Sequence, residues 1–177
     1  ELLDLAGRFA RFEEGLQIIQ HLLGSDAPLD FEGIYYKLKE AVLLPRPARP
    51  GGPPLLIGGN GEKRTLPLAA RYAAEWNAVY IPADQFQRLS QRLDSLLAAQ
   101  GRELDSVRRS LMTGLIYAEN ESLVNQRAAE RTSGRLSAAE LRQRGLVVGA
   151  AGEVVEQLGR LAEAGVQRVM LQWLELD

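Results

Sequence analysis

The chain has no cysteine and a single histidine, His21, among 177 residues. The first absence excludes disulfides, cysteine-ligated zinc, iron–sulfur clusters and a thiol nucleophile. The second leaves a His-rich metal site and a Ser-His-Asp triad poorly supplied, so no metal centre is expected. No apolar run reaches the length of a membrane-spanning helix, and no charged-then-apolar leader opens the sequence. Neither charge sign dominates: 21 basic against 23 acidic residues give a net charge of −2. Nucleic acid and anionic membranes are therefore not the expected partners. The lack of cysteine fits a reducing compartment, and the expected location is cytoplasmic. What remains is ordinary globular material, 46% hydrophobic and 25% charged. It begins Glu1-Leu2-Leu3, without Met, and reads as a segment of a longer protein.

Phe9, Phe12, Leu16, Ile19 and Leu23 recur at three- and four-residue steps, which predicts an amphipathic helix to about Leu23, stopped by Gly24-Ser25-Asp26. Phe31 to Leu44 predicts a short hairpin or two extended segments. The Pro- and Gly-rich stretch from Pro45 to Pro54 can be neither helix nor central strand, and reads as a connector. Residues 1–54 thus form one part and 55–177 another. In the second part short apolar runs alternate with helical patterns. Four parallel strands are expected near 55–58, 75–81, 110–118 and 167–173, adjacent in sequence order, with helices on one face only. Helical material is expected from Glu121 to about Arg144. Alternation of this kind implies right-handed βαβ crossovers. An open doubly wound sheet and part of a (β/α)8 barrel both satisfy it.

The segment Pro53-Pro54-Leu55-Leu56-Ile57-Gly58-Gly59-Asn60-Gly61-Glu62-Lys63-Arg64-Thr65 carries the most chemistry. A buried strand ends in small residues and a helix starts at once. Free N–H groups and the positive end of a helix dipole form an anion site there, and glycines let a phosphate approach. Spacing alone leaves two readings open, a phosphate cradle and a tight turn without ligand. The segment is neither a Walker A loop nor a GxGxxG fingerprint.

Arg8-Phe9-Ala10-Arg11-Phe12-Glu13-Glu14-Gly15-Leu16, Phe31-Glu32-Gly33 with Tyr36, Leu43-Leu44-Pro45-Arg46-Pro47, the Pro53–Gly61 segment, Ala69-Ala70-Arg71-Tyr72-Ala73 and Glu75-Trp76-Asn77 together resemble the bacterial luciferase-like family. Gly145 to Gly149, the helix after it and Gly165 to Gln172 resemble that family's C-terminal helix and last strand. The resemblance implies an α/β fold of the (β/α)8 TIM-barrel type, of which this chain is the C-terminal half, about strands five to eight. It implies an oxidoreductase or monooxygenase using FMN or coenzyme F420 on a small organic substrate. Cofactor-phosphate binding carries over onto Gly58, Gly59, Asn60 and Gly61, with Arg64 beside them. No catalytic acid or base carries over, because the family's other half supplies most of the reaction pocket. An open arc of four strands is expected to self-associate into a homo-oligomer and to be inactive alone. The alternative is a non-catalytic half-barrel that retains anion binding only.

Other residues have plainer readings beside functional ones. Trp76 either walls a flavin pocket or fills the core edge, with Asn77 as a polar contact. His21 lies beside the apolar helix face, suited to capping. Asp26, Asp30 and Glu32 fit turns better than a paired-carboxylate site. Arg127, Arg131, Arg135, Arg142 and Arg144 read as a solvated helix face, or as the source of one arginine for an anionic ligand.

Overall fold

The apolar spacing near the start becomes α1 (Leu5–Gly24) in the computed structural model, which describes residues 3–173. Asp4 caps the helix by accepting the Gly7 N–H at 2.7 Å, and the Ser25 N–H closes the far end on the His21 carbonyl. His21 sits in the last turn with Nε2 3.4 Å from the Ala27 carbonyl, a capping position as expected. Leu16 is buried, whereas Phe12 and Ile19 on the same face stay 43% and 44% exposed. β1 (Leu29–Glu32) and β2 (Lys37–Ala41) pair antiparallel as a hairpin. Glu14 of α1 fastens that hairpin's loop. Its carboxylate accepts the N–H groups of Ile34, Tyr35 and Tyr36 at 2.8, 2.9 and 3.1 Å. A Cβ on Gly33 would run into this carboxylate, so the loop needs glycine there. This first unit ends at Leu55, and a second begins at Leu56.

The second unit is a parallel α/β sheet. β3 (Leu56–Gly58), β4 (Glu75–Val79), β5 (Arg108–Tyr117) and β7 (Arg168–Gln172) are neighbours in the expected order, joined through α2 (Thr65–Tyr72), α3 (Ala83–Ala99) and α6 (Ala151–Glu163). Ser110, Leu111 and Met112 pair with both β4 and β7, so these two strands lie on opposite edges of β5. A fifth strand, β6 (Val147–Gly149), pairs with Leu115–Tyr117 and was not expected. It is no shorter than β3, but it follows a helical pattern directly, without the Pro- and Gly-rich connector that marks the start of β3. Arg142 Nε and Gln157 Nε2 hold the Val148 carbonyl of this strand at 2.8 and 2.9 Å.

Alternation sends Ile57, Trp76, Ala78 and Leu111 to one face, all buried. Trp76 stacks on Phe86 of α3 with ring centroids 5.2 Å apart, and Leu89, Leu93 and Leu97 bury the same side of that helix. Leu66, Ala69 and Ala70 of α2 complete the core. Arg102 ties α2 to the segment after α3, donating to the carbonyls of Ala70 and Ala73 at 2.8 and 3.1 Å. Arg109, 7% exposed, pairs with Asp94 of α3 and donates to the carbonyls of Leu104 and Val107.

One expectation divides in two and another needs correction. The stretch from Glu121 to Arg144 is two helices, α4 (Glu121–Thr132) and α5 (Ala138–Gln143). Ser133 and Gly134 turn left-handed at φ 51° and 73°, which ends α4. A capping box then starts α5, in which the Ser137 N–H and hydroxyl hold the Glu140 carboxyl below its ordinary pKa. Covering on one face holds for α2 and α3 but gives way at the end of β5. Ile116, on the opposite side by alternation, packs with Val124 and Ala128 of α4 and Leu141 of α5.

The Glu14 contacts set a pH dependence. Partial burial works to raise its pKa, but the three N–H donors of Tyr35, Ile34 and Tyr36 outweigh it and hold the carboxyl below the ordinary glutamate value. A folded-state pKa below the unfolded one adds stability above the ordinary range, lost as pH falls through the lowered value. Amide shifts of Ile34, Tyr35 and Tyr36 in an NMR titration should move together in a step below the ordinary glutamate range. Glu14→Gln should abolish that step.

Candidate functional site

The glycine-rich turn leaves the C-terminal end of β3, where its ladder with β4 runs out. Gly58 pairs with Asn77, and the next N–H, that of Gly59, donates to the Asn77 carbonyl at 2.9 Å. Asn60 then continues the ladder with its side chain. Its Oδ1 accepts the Val79 N–H at 2.9 Å and its Nδ2 donates to the Val79 carbonyl at 2.7 Å. A side-chain amide has one acceptor and one donor group, as a backbone unit does, so it adds a rung while the main chain turns away. Trp76 Nε1 donates to the Gly59 carbonyl at 2.9 Å and pins the turn from the buried face. Trp76 is therefore a core residue that positions the turn.

Gly59 has φ +124°, and a Cβ there would lie 3.3 Å from Thr65 Cγ2. A Cβ on Gly61 would lie 2.9 Å from Thr65 Oγ1. Both glycines are required by the turn itself. Gly58 differs, because within 4 Å a Cβ would meet only the Asn77 carbonyl, at 3.8 Å. Of the donors at the start of α2, the Leu66 N–H is committed to the Gly61 carbonyl at 3.0 Å, and Pro67 has none. Lys63 is exposed, and Arg64, half-buried, occupies the N-cap position.

From the turn, the sheet face opposite Trp76 runs across β4, β5 and β7 as a polar surface. Glu75, 7% exposed, lies 3.1 Å from Arg168 Nη1 and 3.9 Å from Arg108 Nη1. Asn77 donates to Ser110 Oγ at 2.9 Å and lies 3.9 Å from Met170 Sδ. At the strands' C-terminal end Tyr80 Oη donates to Gln172 Oε1, and Gln172 Nε2 lies 3.3 Å from Met112 Sδ. The sequence alone does not single out Tyr80, Gln172, Arg108 or Arg168 as site residues. The period-two pattern through Glu75 and Asn77 was the available signal, but register alone brings their partners together.

The remaining candidates are dispersed. Asp26 pairs with Arg46, Asp30 Oδ1 accepts the Glu40 N–H at 2.7 Å, and Glu32 pairs with Lys37 at 2.8 Å. Among the described residues no group of three or more His, Cys, Asp or Glu side chains could hold a metal, and no helix is long and apolar enough to cross a membrane. Arg127 donates to the Tyr117 carbonyl, Arg135 to that of Thr132, and Arg142 pairs with Glu153 at 2.8 Å.

The model of the luciferase-like monooxygenase family matches residues 3–168, nearly the whole chain. The chain belongs to the luciferase-like monooxygenase family. A curated relative of this luciferase-like chain is an F420-dependent glucose-6-phosphate dehydrogenase of Intrasporangium calvum. It is 26% identical over 194 aligned positions, which cover 93% of this chain and 55% of the relative. Among solved structures, an F420-dependent secondary alcohol dehydrogenase superposes with a TM-score of 0.79 at 17% identity, over 97% of this chain and 58% of the other. A coenzyme F420-dependent tetrahydromethanopterin reductase from Methanopyrus kandleri gives 0.78 at 18%, over 96% and 59%. An EDTA monooxygenase from Chelativorans gives 0.78 at 16%, over 96% and 57%. At these identities the structural likeness establishes the fold, and the luciferase-like chain spans a little over half the length of these relatives.

The Asn60 rung is open to direct measurement. Asn60→Ala leaves the part-buried Val79 N–H and carbonyl without these partners, which costs about 1 kcal/mol, the low end of the buried-group range. Urea unfolding should show the midpoint lowered by a corresponding amount with an unchanged slope. An unchanged midpoint would mean the rung carries no stability.

Proposed function

We propose that this chain is the C-terminal half of a (β/α)8 barrel oxidoreductase or monooxygenase that uses FMN or coenzyme F420 on a small organic substrate. In this reading β3, β4, β5 and β7 are strands five to eight, and the cofactor's phosphate lies beside Gly58, Gly59, Asn60, Gly61 and Arg64. The observation that carries it is the glycine-rich turn at the C-terminal end of a parallel strand, within a chain matched to the family from residue 3 to 168. Barrel enzymes bind their ligands at this end of the strands. F420 in the names of one curated relative and two solved structures, and the flavin-type chemistry of the family, support the cofactor class.

The residues present fit an anionic group. Gly58 leaves open space on the polar face that a Cβ would fill, and Lys63 and Arg64 bring positive charge to the turn. Donors at the turn are fewer than in an unencumbered helix start, since the Gly59, Arg64 and Leu66 N–H groups and the Asn60 amide are committed, so the two cations matter more. When bound, the cofactor supplies the hydride or oxygen chemistry, and the protein supplies orientation and charge. The chain itself holds the cofactor's acid end, and no residue in it is assigned as acid or base.

Gly58 is the residue on which the reading turns. Gly59, the position suggested by sequence, is a poor probe, because a side chain at φ +124° strains the turn by about 1–3 kcal/mol whether or not a ligand binds. Gly58→Val in the complete gene product should weaken binding of FMN or F420 at least tenfold, followed by cofactor absorbance and fluorescence, with the melting temperature held. Unchanged affinity would remove the phosphate from this turn.

Exposed Leu56, at 47%, and the strand edges of β3 and β7 support the further proposal that the 177-residue chain self-associates and is inactive alone. Light scattering should report a homo-oligomer, and turnover with either cofactor should be absent. A stable monomer would count against it.

A further inference from the structure

The five arginines between residues 127 and 144 do not share one fate, and Arg131 stands apart. Among the described residues it makes no hydrogen bond and no ion pair, although it is half-buried. Its guanidinium projects from the last turn of α4 over β5. One Nη lies 3.2 Å from where a Cβ on Gly114 would sit. Leu146 Cδ2 and the Tyr80 ring meet the same point at 3.3 and 3.5 Å. Gly114 is on the polar side of β5, two residues beyond Met112, and is paired with Gln172. Arg131 therefore sits at the C-terminal mouth of the strands, beside the Tyr80–Gln172 hydrogen bond.

Two features show that this corner is built rather than incidental. Tyr80 takes φ +50°, a conformation that side chains rarely adopt, and this places its ring over Gly114 while its N–H still donates to the Met112 carbonyl at 3.0 Å. Gly114 leaves room for the guanidinium beside the ring, since a Cβ there would press on the Arg131 Nη at 3.2 Å while meeting the Tyr80 ring at an ordinary 3.5 Å. A cation drawn half out of water with no counter-charge is unfavourable unless an anion completes it.

We propose that Arg131 recognises a carboxylate or phosphate of a ligand bound at this mouth, with Tyr80 and Gln172 as its fixed wall. The proposal deepens the cofactor-dependent reading above and rests on it for the location of the ligand. The acid group belongs either to the organic substrate or to the cofactor. The planar fork of arginine suits both, presenting two parallel donors to two oxygens.

The test uses the complete gene product with Arg131→Gln, Arg131→Lys and Gly114→Ala. Gly114→Ala keeps the charge but displaces the guanidinium. Dissociation constants are measured for FMN and F420 by fluorescence, and for inorganic phosphate by calorimetry, at one ionic strength. Arg131→Gln should weaken at least one of these about tenfold, Arg131→Lys less, and Gly114→Ala in the same direction, with melting temperatures near the wild type. Weakened cofactor binding assigns the anion to the cofactor. Weakened phosphate binding with intact cofactor binding assigns it to the substrate. Unchanged constants for all three ligands would overturn the proposal, as would a lowered melting temperature with unchanged constants, which marks a structural role. A wild-type protein that binds neither cofactor would instead sink the functional reading, and the phosphate measurement would still decide Arg131.

Discussion

β5 is hydrogen-bonded along both edges over Ser110–Met112, and this double pairing fixes where the other strands of the second unit lie. Its ten residues are long enough to offer β4 and β7 overlapping stretches and still leave Leu115–Tyr117 for β6. Once register is set, alternation does the rest. Leu111 and Thr113 go to the buried side and Ser110, Met112 and Gly114 to the polar one. A slip of one residue would exchange these two sets and place Trp76's neighbours on the polar side. The buried stack of Trp76 on Phe86 opposes that slip, because the ring pair has a partner on one side of the sheet only.

The polar side is assembled from residues distant in sequence. Glu75 meets Arg168, Asn77 meets Ser110 and Met170, and Tyr80 meets Gln172. These contacts let a parallel sheet present hydrogen-bonding groups on one face, where strands covered on both sides would read as continuous apolar runs. The burial pattern of β4, in which Glu75 and Asn77 are buried along with Trp76 and Ala78, is the local sign of it.

Much of this architecture was legible in the sequence. The strand at Leu56–Gly58, the helix of Phe86, Leu89, Leu93 and Leu97, and the order of β3, β4, β5 and β7 follow from period and punctuation. Three things did not. β6 follows a helical pattern without a connector to announce it, and side chains of Arg142 and Gln157 hold it. The break at Ser133-Gly134 is a left-handed turn, and a Ser-Gly pair inside a helical pattern is weak punctuation beside Pro. At the turn, the glycines were visible but not their division of labour. Gly59 and Gly61 serve the backbone, Gly58 leaves space, and Asn60 spends its amide on Val79, a pairing that needs the fold to exist first.

The pairing of β5 with β7 also governs how the sheet is reached. Arg109 and Gln167 are bonded to each other across 58 positions of sequence, whereas the hairpin of the first unit and the α4–α5 pair close over short loops. Long-separation contacts form late, because the entropy of closing the loop is lost before the contact returns anything. Between those two moments β5 waits with one edge open. The side it then shows to solvent carries Arg108, Ser110 and, from β4, Glu75 and Asn77, groups that water satisfies. Such a face offers copies of the chain little apolar surface, so before β7 pairs it is the open edge of β5, and not the face of the sheet, that invites a second chain.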